Sequence, residues 1–442
     1  MQSRTLTLNR IIFLVLALAP AGLGQDAAPL KLTLRDAVGL ALKQNPQVII
    51  GNLGVARAEE QRLTARSGLL PQVGGNVAET VHRVNLETAL GFGFPGFAQH
   101  VGPFYVFQAG VNFEAPVFDL TLWRRYNSAR LGVDASRAQE ASAREQSVLL
   151  VVSQYLGCLR AAADVQAAQS QVDLAQALYD QAADLQKNGV GTGIDTLRAN
   201  VQLQNQKQRL LVARTQLDTS LFGLSRLLNI DPKRQIEVAD PARFFETPPA
   251  PVDQTIEQAY VARPELRELR TREQQAELSL RSAGEQRLPK LTLNGGWLQQ
   301  GLTPGSVIPV YQYQASLDFP LFTGGRIRAQ QADADLALRQ LRQQEQDLRN
   351  RVALEVKTAL AQLESARNQV EVANLGGKLA REEVDQARDR FQAGVANNIE
   401  VITAQDELAR ANDNQIAALY RYNQSRADLA HAAGQMETLY AR

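Results

Sequence analysis

Two stretches of this chain share a layout that few folds accommodate. Residues 107–130 read FQAGVNFEAPVFDLTLWRRYNSAR, and residues 313–328 read YQASLDFPLFTGGRIR. In each, an aromatic, alternating run meets a proline and then opens into a long helix-forming segment. Pro116 corresponds to Pro320, and Phe118 to Phe322. Alternation of apolar and polar residues is the period of a strand with two unlike faces. Proline has no N–H to give a sheet, so each proline predicts the end of a ladder. Gly324 and Gly325 relax the backbone where the second path turns helical, and Asp119 predicts a helix cap in the first.

The rest of the chain repeats on the same plan. LTLRDAVGLALKQNPQV, from Leu32, and TIEQAYVARPEL, from Thr255, each predict a short amphipathic helix that stops before a proline, Pro46 or Pro264. A longer polar helix follows in each copy, then LLPQVGGNVAE or RLPKLTLNGGW, then a second strand-like run and long helices. Each second helical region holds a glycine-marked interruption, LQKNGVGTGIDTL at 185–197 and FQAGVANNIEVI at 391–402. This predicts a first repeat over 25–243, a proline-rich linker at 244–254 and a second repeat over 255–442. Along the helices, Val148, Val152, Tyr155 and Leu159, and again Val352, Val356, Ala359 and Leu363, form apolar stripes that seek neighbouring helices.

Four strands are predicted, at about 72–81, 104–113, 290–298 and 310–319. Tyr311, Tyr313, Ala315, Leu317 and Phe319 share one face of the last; Gln312, Gln314, Ser316 and Asp318 share the other. Such a strand suits a soluble sheet, and equally a barrel wall with lipid outside and water inside. Each run has the length a tilted strand needs to cross a bilayer, and aromatics gather near the ends. In lipid every strand edge must be paired. Four strands cannot enclose water alone, so membranous strands predict an oligomer.

The first residues set the compartment. Arg4 and Arg10 precede the apolar run 11–19 and then Pro20, Ala21 and Gly22, the order of a secretory signal peptide, here expected over 1–24. No other run is expected to be long and apolar enough to span a bilayer as a helix. A net charge of +1 points away from nucleic acid. Three histidines and one cysteine are few for a metal or redox enzyme, and no nucleophile set, P-loop or metal-ligand spacing occurs. No cofactor and no catalysis are expected. Cys158, between Leu156 and Leu159, reads as a buried structural residue.

From Leu32 to about Gly434 the chain resembles the TolC family of outer-membrane efflux proteins, the outer-membrane factors of tripartite pumps and type I secretion systems. The resemblance is carried by LTLRDAVGLALKQNP, by the junctions FEAPVFD and LDFPLFTGGRIR, and by GVGTGIDTL and FQAGVANNIEVI in their order. It implies a mixed α/β membrane protein. Three copies would each give four strands to one twelve-stranded transmembrane β-barrel, continuous with a periplasmic α-helical coiled-coil barrel. The implied partners are a periplasmic adaptor, an inner-membrane transporter and outer-membrane lipid.

The resemblance also places functional positions at the two helical turns. Gly189, Gly191, Thr192, Gly394 and Val395 fall where an adaptor would dock. Asp195 falls in a network that holds inner coils shut, or simply caps its helix. Glu400 falls where relatives carry a lumen-facing acid ring, or on an ordinary wet helix face. The pattern departs from the family's at Ala396, where an arginine can tie the gate, at Thr403, in place of a second acid, and at Phe391, in place of a tyrosine. Closure here is therefore expected to lean on coil packing, or on Asn397 and Asn398 as substitute hydrogen-bonding groups. A periplasmic adaptor or a structural coiled coil is the other reading of these elements. The former would carry a flanking β domain on a single hairpin, and the latter would need no bilayer-length strands.

Overall fold

A computed structural model describes residues 29–86, 88, 91–92, 96, 98–240, 251–393, 395–396 and 398–441, with the side chains of Gln392 and Asn398 left undescribed. The expected signal segment, most of the 244–254 linker, Gly394 and Asn397 lie outside the described residues. In chain order the elements are β1 (Leu30–Leu32), α1 (Leu34–Gln44), α2 (Pro46–Ser67), β2 (Gln72–Asn85), β3 (His100–Phe118), α3 (Leu120–Lys187) and α4 (Gly193–Leu227). Then follow β4 (Ile236–Val238), α5 (Val252–Ala262), α6 (Pro264–Glu285), β5 (Lys290–Gly301), β6 (Ile308–Asp318), α7 (Arg326–Gln392), α8 (Asn398–Ala432) and α9 (Met436–Tyr440).

The strands outrun the alternating cores from which they are expected, so the connections at 86–99 and 302–307 are shorter than the sequence suggests. They form one antiparallel sheet in the order β2-β3-β5-β6. Pro116 corrects the expectation drawn for it. It lies inside β3, opposite Thr292, and β3 runs on to Phe118 across a register shift. The proline is tolerated because pairing with β2 starts only at Glu114, so beyond it β3 is an edge, and because it adjoins a bulge. Pro320 does lie past its strand, which ends at Asp318. Gly324 and Gly325 are both left-handed (φ 57° and 83°), and Gly325 is the N-terminal cap of α7. Asp119 caps α3 by accepting from the Thr121 and Leu122 amides, and Lys290 Nζ reaches its carboxylate at 2.9 Å.

Gly110 shows how closely the strands approach. A Cβ there would sit 2.2 Å from the carbonyl oxygen of Trp297 on β5. Backbone cannot swing aside as a side chain can, so Gly110→Ala is expected to destabilise the sheet by about 1–3 kcal/mol. The temperature at which the folded form is lost on a semi-denaturing gel reports it; an unchanged temperature would refute the close approach.

The helices continue the sheet as a single layer of rods. Near the sheet the rods lie in the order α2-α3-α6-α7, the order of the strands they join. Farther away the order is α4-α3-α8-α7. Two rods are continuous: α3 has 68 residues and α7 has 67, each about 100 Å long. The other two are spliced. The start of α2 meets the end of α4, where the buried Asn45 donates to the Leu227 carbonyl at 2.8 Å. The start of α6 meets the end of α8, where Arg263 donates to Glu355 at 2.8 Å and to the carbonyls of His431 and Ala432. Both spliced rods stop in the same way. Asn229 (φ 51°) and Gly434 (φ 68°) take left-handed conformations, and the next amide bonds back five residues, from Ile230 to Ser225 and from Gln435 to Ala430.

The main core surrounds the first splice. Val148, Val151, Val152, Tyr155 and Cys158 of α3 are fully buried against Val38 and Ala41 of α1, Leu224 of α4, Leu228 and Met436. Burial pushes the Cys158 thiol up to about 12, so it stays protonated and inert. This packing corrects one expectation. α3 does contain a window long and apolar enough to cross a bilayer, a third of it buried, and part of the helix's apolar surface packs in this core. A short parallel pair, β1 with β4, and the Tyr155 hydroxyl, which lies 2.9 Å from both Asp240 and the Leu32 carbonyl and shares its one proton between them, tie the segment before α1 to the segment after α4.

Candidate pore wall and tip constriction

The sheet's two faces differ over the half nearer the helices. Paired residues lie on the same side of a sheet. The register therefore places Val73, Val77, Val81, Tyr105, Val111, Phe113, Leu293, Trp297, Tyr311, Tyr313 and Leu317 on one face, together with Glu79 and Gln299. Gln72, Asn76, Thr80, Gln108, Asn112, Thr292, Asn294, Gln312, Gln314 and Ser316 lie on the other, together with Phe104, Val106, Leu298, Ile308 and Val310 toward the far end. No described helix covers the apolar face: Val77 is 73% exposed and Tyr311 71%. A sheet this apolar on its open side is built for lipid, with the polar side toward water. Leu321 and Phe322, just beyond β6, are almost fully exposed, and Phe118 at the end of β3 is half so.

At the far end, α3 turns into α4 over residues 188–192. Gly189 (φ 75°) is the left-handed residue that ends α3; its amide bonds the Gln186 carbonyl, and the Val190 amide bonds Leu185. Gly191 packs so tightly that a Cβ would meet the Gln186 nitrogen at 2.9 Å. The second turn is built alike: the Val395 amide bonds the Arg390 carbonyl at 3.0 Å. Val190 and Val395 project into solvent at the two tips, 77% and 69% exposed.

The residues singled out at the tips fall into three settings. Thr192 is the cap residue of α4 although its side chain caps no amide. Asp195 sits in the first turn, where its carboxylate accepts from the Thr192 hydroxyl and lies 3.9 Å from Arg198. Phe391 turns inward and packs against Leu178, Val384, Ala387, Val401 and Ala404, where α3, α7 and α8 meet. Glu400, in the first turn of α8, pairs with Arg390 at 2.9 Å. Thr403 is exposed and bonds back to the Ile399 carbonyl; Ala396 is half-buried, and Asn398 opens α8. Arg390 was not among the residues expected from sequence. Its position in the last turn of α7, ten residues before an acid across a glycine turn, is the signal that finds it. Between the hairpins, Gln202 of α4 donates to Asp406 of α8 at 2.8 Å, a second link that sequence spacing hides.

A lipid-facing sheet that runs unbroken into rods about 100 Å long defines a class: the wall of an envelope-spanning channel. The family model described as outer membrane efflux protein matches residues 37–229 and 255–435. The alkaline protease secretion protein AprF of Pseudomonas aeruginosa is 24% identical over 424 residues, 92% of this chain and 85% of that protein. The outer membrane protein TolC of Vibrio cholerae is 20% identical over 411 residues, 91% of each. Among solved structures, the Campylobacter jejuni CmeC outer membrane channel superposes with a TM-score of 0.80 at 18% identity, covering 91% of this chain and 85% of that one. VceC from Vibrio cholerae gives 0.79 at 17%, covering 91% and 96%. The chain belongs to the outer membrane efflux protein family. It is an outer-membrane export channel whose helical part lies in the periplasm.

Proposed function

We propose that three copies of this chain close into one passive duct, a twelve-stranded barrel above a helical tunnel, that carries cargo from an inner-membrane transporter and a periplasmic adaptor to the exterior. One observation carries the reading: sheet and helical layer are open along the same two flanks. β2, α2 and α4 form one flank, and β6 and α7 the other. Both carry exposed apolar side chains at helical spacing, Ile194, Leu197 and Val201 on α4 and Val372, Leu375 and Leu379 on α7. Unlike flanks joined head to tail generate a ring, and only a ring leaves no strand edge in lipid. The polar sheet face then lines the bore and suits hydrated cargo.

In this reading the adaptor docks at the tips, over Gly189, Gly191, Thr192, Gly394 and Val395. The constriction lies beside them, at Asp195, Phe391, Ala396, Asn397, Asn398, Glu400 and Thr403. Its closure rests on packing of Phe391 between coils and on side-chain polar links.

Single cysteines placed on β2 and on β6 test the ring. Oxidation of the doubly substituted protein in membranes is expected to give a ladder that stops at three chains. A ladder that runs on past three, or none at all from folded protein, would defeat the trimer.

A further inference from the structure

Arg390 and Glu400 meet across the second tip. Arg390 lies in the last turn of α7, where the helix end favours a cation, and Glu400 in the first turn of α8, where it favours an anion. Their contact is 2.9 Å, and the Val395 amide bonds the Arg390 carbonyl within the same turn. Helix ends, turn and ion pair therefore agree on one arrangement. Among the described residues the first tip shows no ion pair between its two helices: Asp195 there leans on Arg198 of its own helix.

We propose that Arg390 sets the charge selectivity of the channel entrance, by holding a cation against each Glu400 and leaving the mouth close to neutral. This rests on the reading of Glu400 as a constriction residue of a threefold duct. Three carboxylates around a narrow opening, without Arg390 beside them, would concentrate cations and repel anions. Three carboxylates each paired with a guanidinium present dipoles, whose field fades well within the screening length of about 10 Å at 0.1 M salt. An entrance of that kind passes solutes of either sign. It suits a duct for anionic or zwitterionic cargo as well as cationic cargo.

The test is the reversal potential of the purified oligomer in a planar bilayer under a KCl gradient. Wild type is expected to discriminate weakly. Arg390→Gln is expected to raise the K⁺ over Cl⁻ permeability ratio by about threefold or more, and Glu400→Gln to lower it below wild type. Arg390→Lys, and the exchange Arg390→Glu with Glu400→Arg, are expected to restore the wild-type ratio. A gel-shifted folded oligomer is confirmed for each. If Glu400→Gln moves the ratio and Arg390→Gln does not, the role of Arg390 is overturned while the acid ring stands. If neither moves it, both fall. A folded oligomer that does not conduct overturns the duct itself.

Discussion

Val111→Arg is expected to block stable insertion into the outer membrane, whereas Asn112→Arg, one position along the same strand, is expected to insert normally. Val111 pairs with Gly75 and Trp297 on the apolar face; Asn112 pairs with Gly74 and Gly296 on the polar one. An arginine facing the bilayer interior costs about 2–4 kcal/mol. In a threefold barrel that cost falls three times on one assembly. On the polar face the same side chain stays in water and costs almost nothing, although it changes the charge of the bore and so the conductance. The heat-modifiable fraction recovered in outer membranes measures the first effect, and single-channel current the second. Equal tolerance of both arginines, or equal failure, would mean that the two faces are wrongly assigned.

Arg263→Leu is the second large expected effect. The Arg263 side chain is 6% exposed and joins Glu265, Glu355 and two carbonyls at the end of α8. Removing the guanidinium leaves those carbonyls and a partly buried carboxylate without their donor. Both carboxylates are about a third exposed, so the loss falls short of breaking a fully buried pair and comes to about 2–3 kcal/mol, mostly from the carbonyls left without a donor. Asn45→Ala, at the other splice, removes one neutral hydrogen bond to Leu227 and a cap to Gln47, for about 1–2 kcal/mol. Thermal melts of the helical signal compare the two variants. A smaller loss at Arg263 than at Asn45 would show that charge is not what secures the second splice.

Period two made the strands readable, because every second residue from Tyr311 to Phe319 faces the same way. Their ends were not readable. Pro116 stays in its strand only because β2 is absent on one side at that height, and where β2 begins to pair is set by register between distant segments. The helical stripes at Val148 and Val352 announced buried faces, yet the splices joining Asn45 to Leu227 and Arg263 to His431 connect residues far apart in sequence. No local pattern announces such contacts. The tip shows the same division. Its glycines marked the turns, because a left-handed residue is a local requirement. The pairing of Glu400 with Arg390 was only half legible: its place ten residues before the acid marks Arg390, but other bases near the turn compete, and the geometry of the turn decides.

α3 and α7 differ in length by a single residue, and this makes the molecule a ruler. Each uninterrupted rod sets the height of its own tip, and the two tips must stand level if a partner is to grip both. Adding one helical turn to α3 alone would tilt the entrance. In the duct proposed above, the reach from outer membrane to entrance can change only if matching turns are gained or lost in all four rods together.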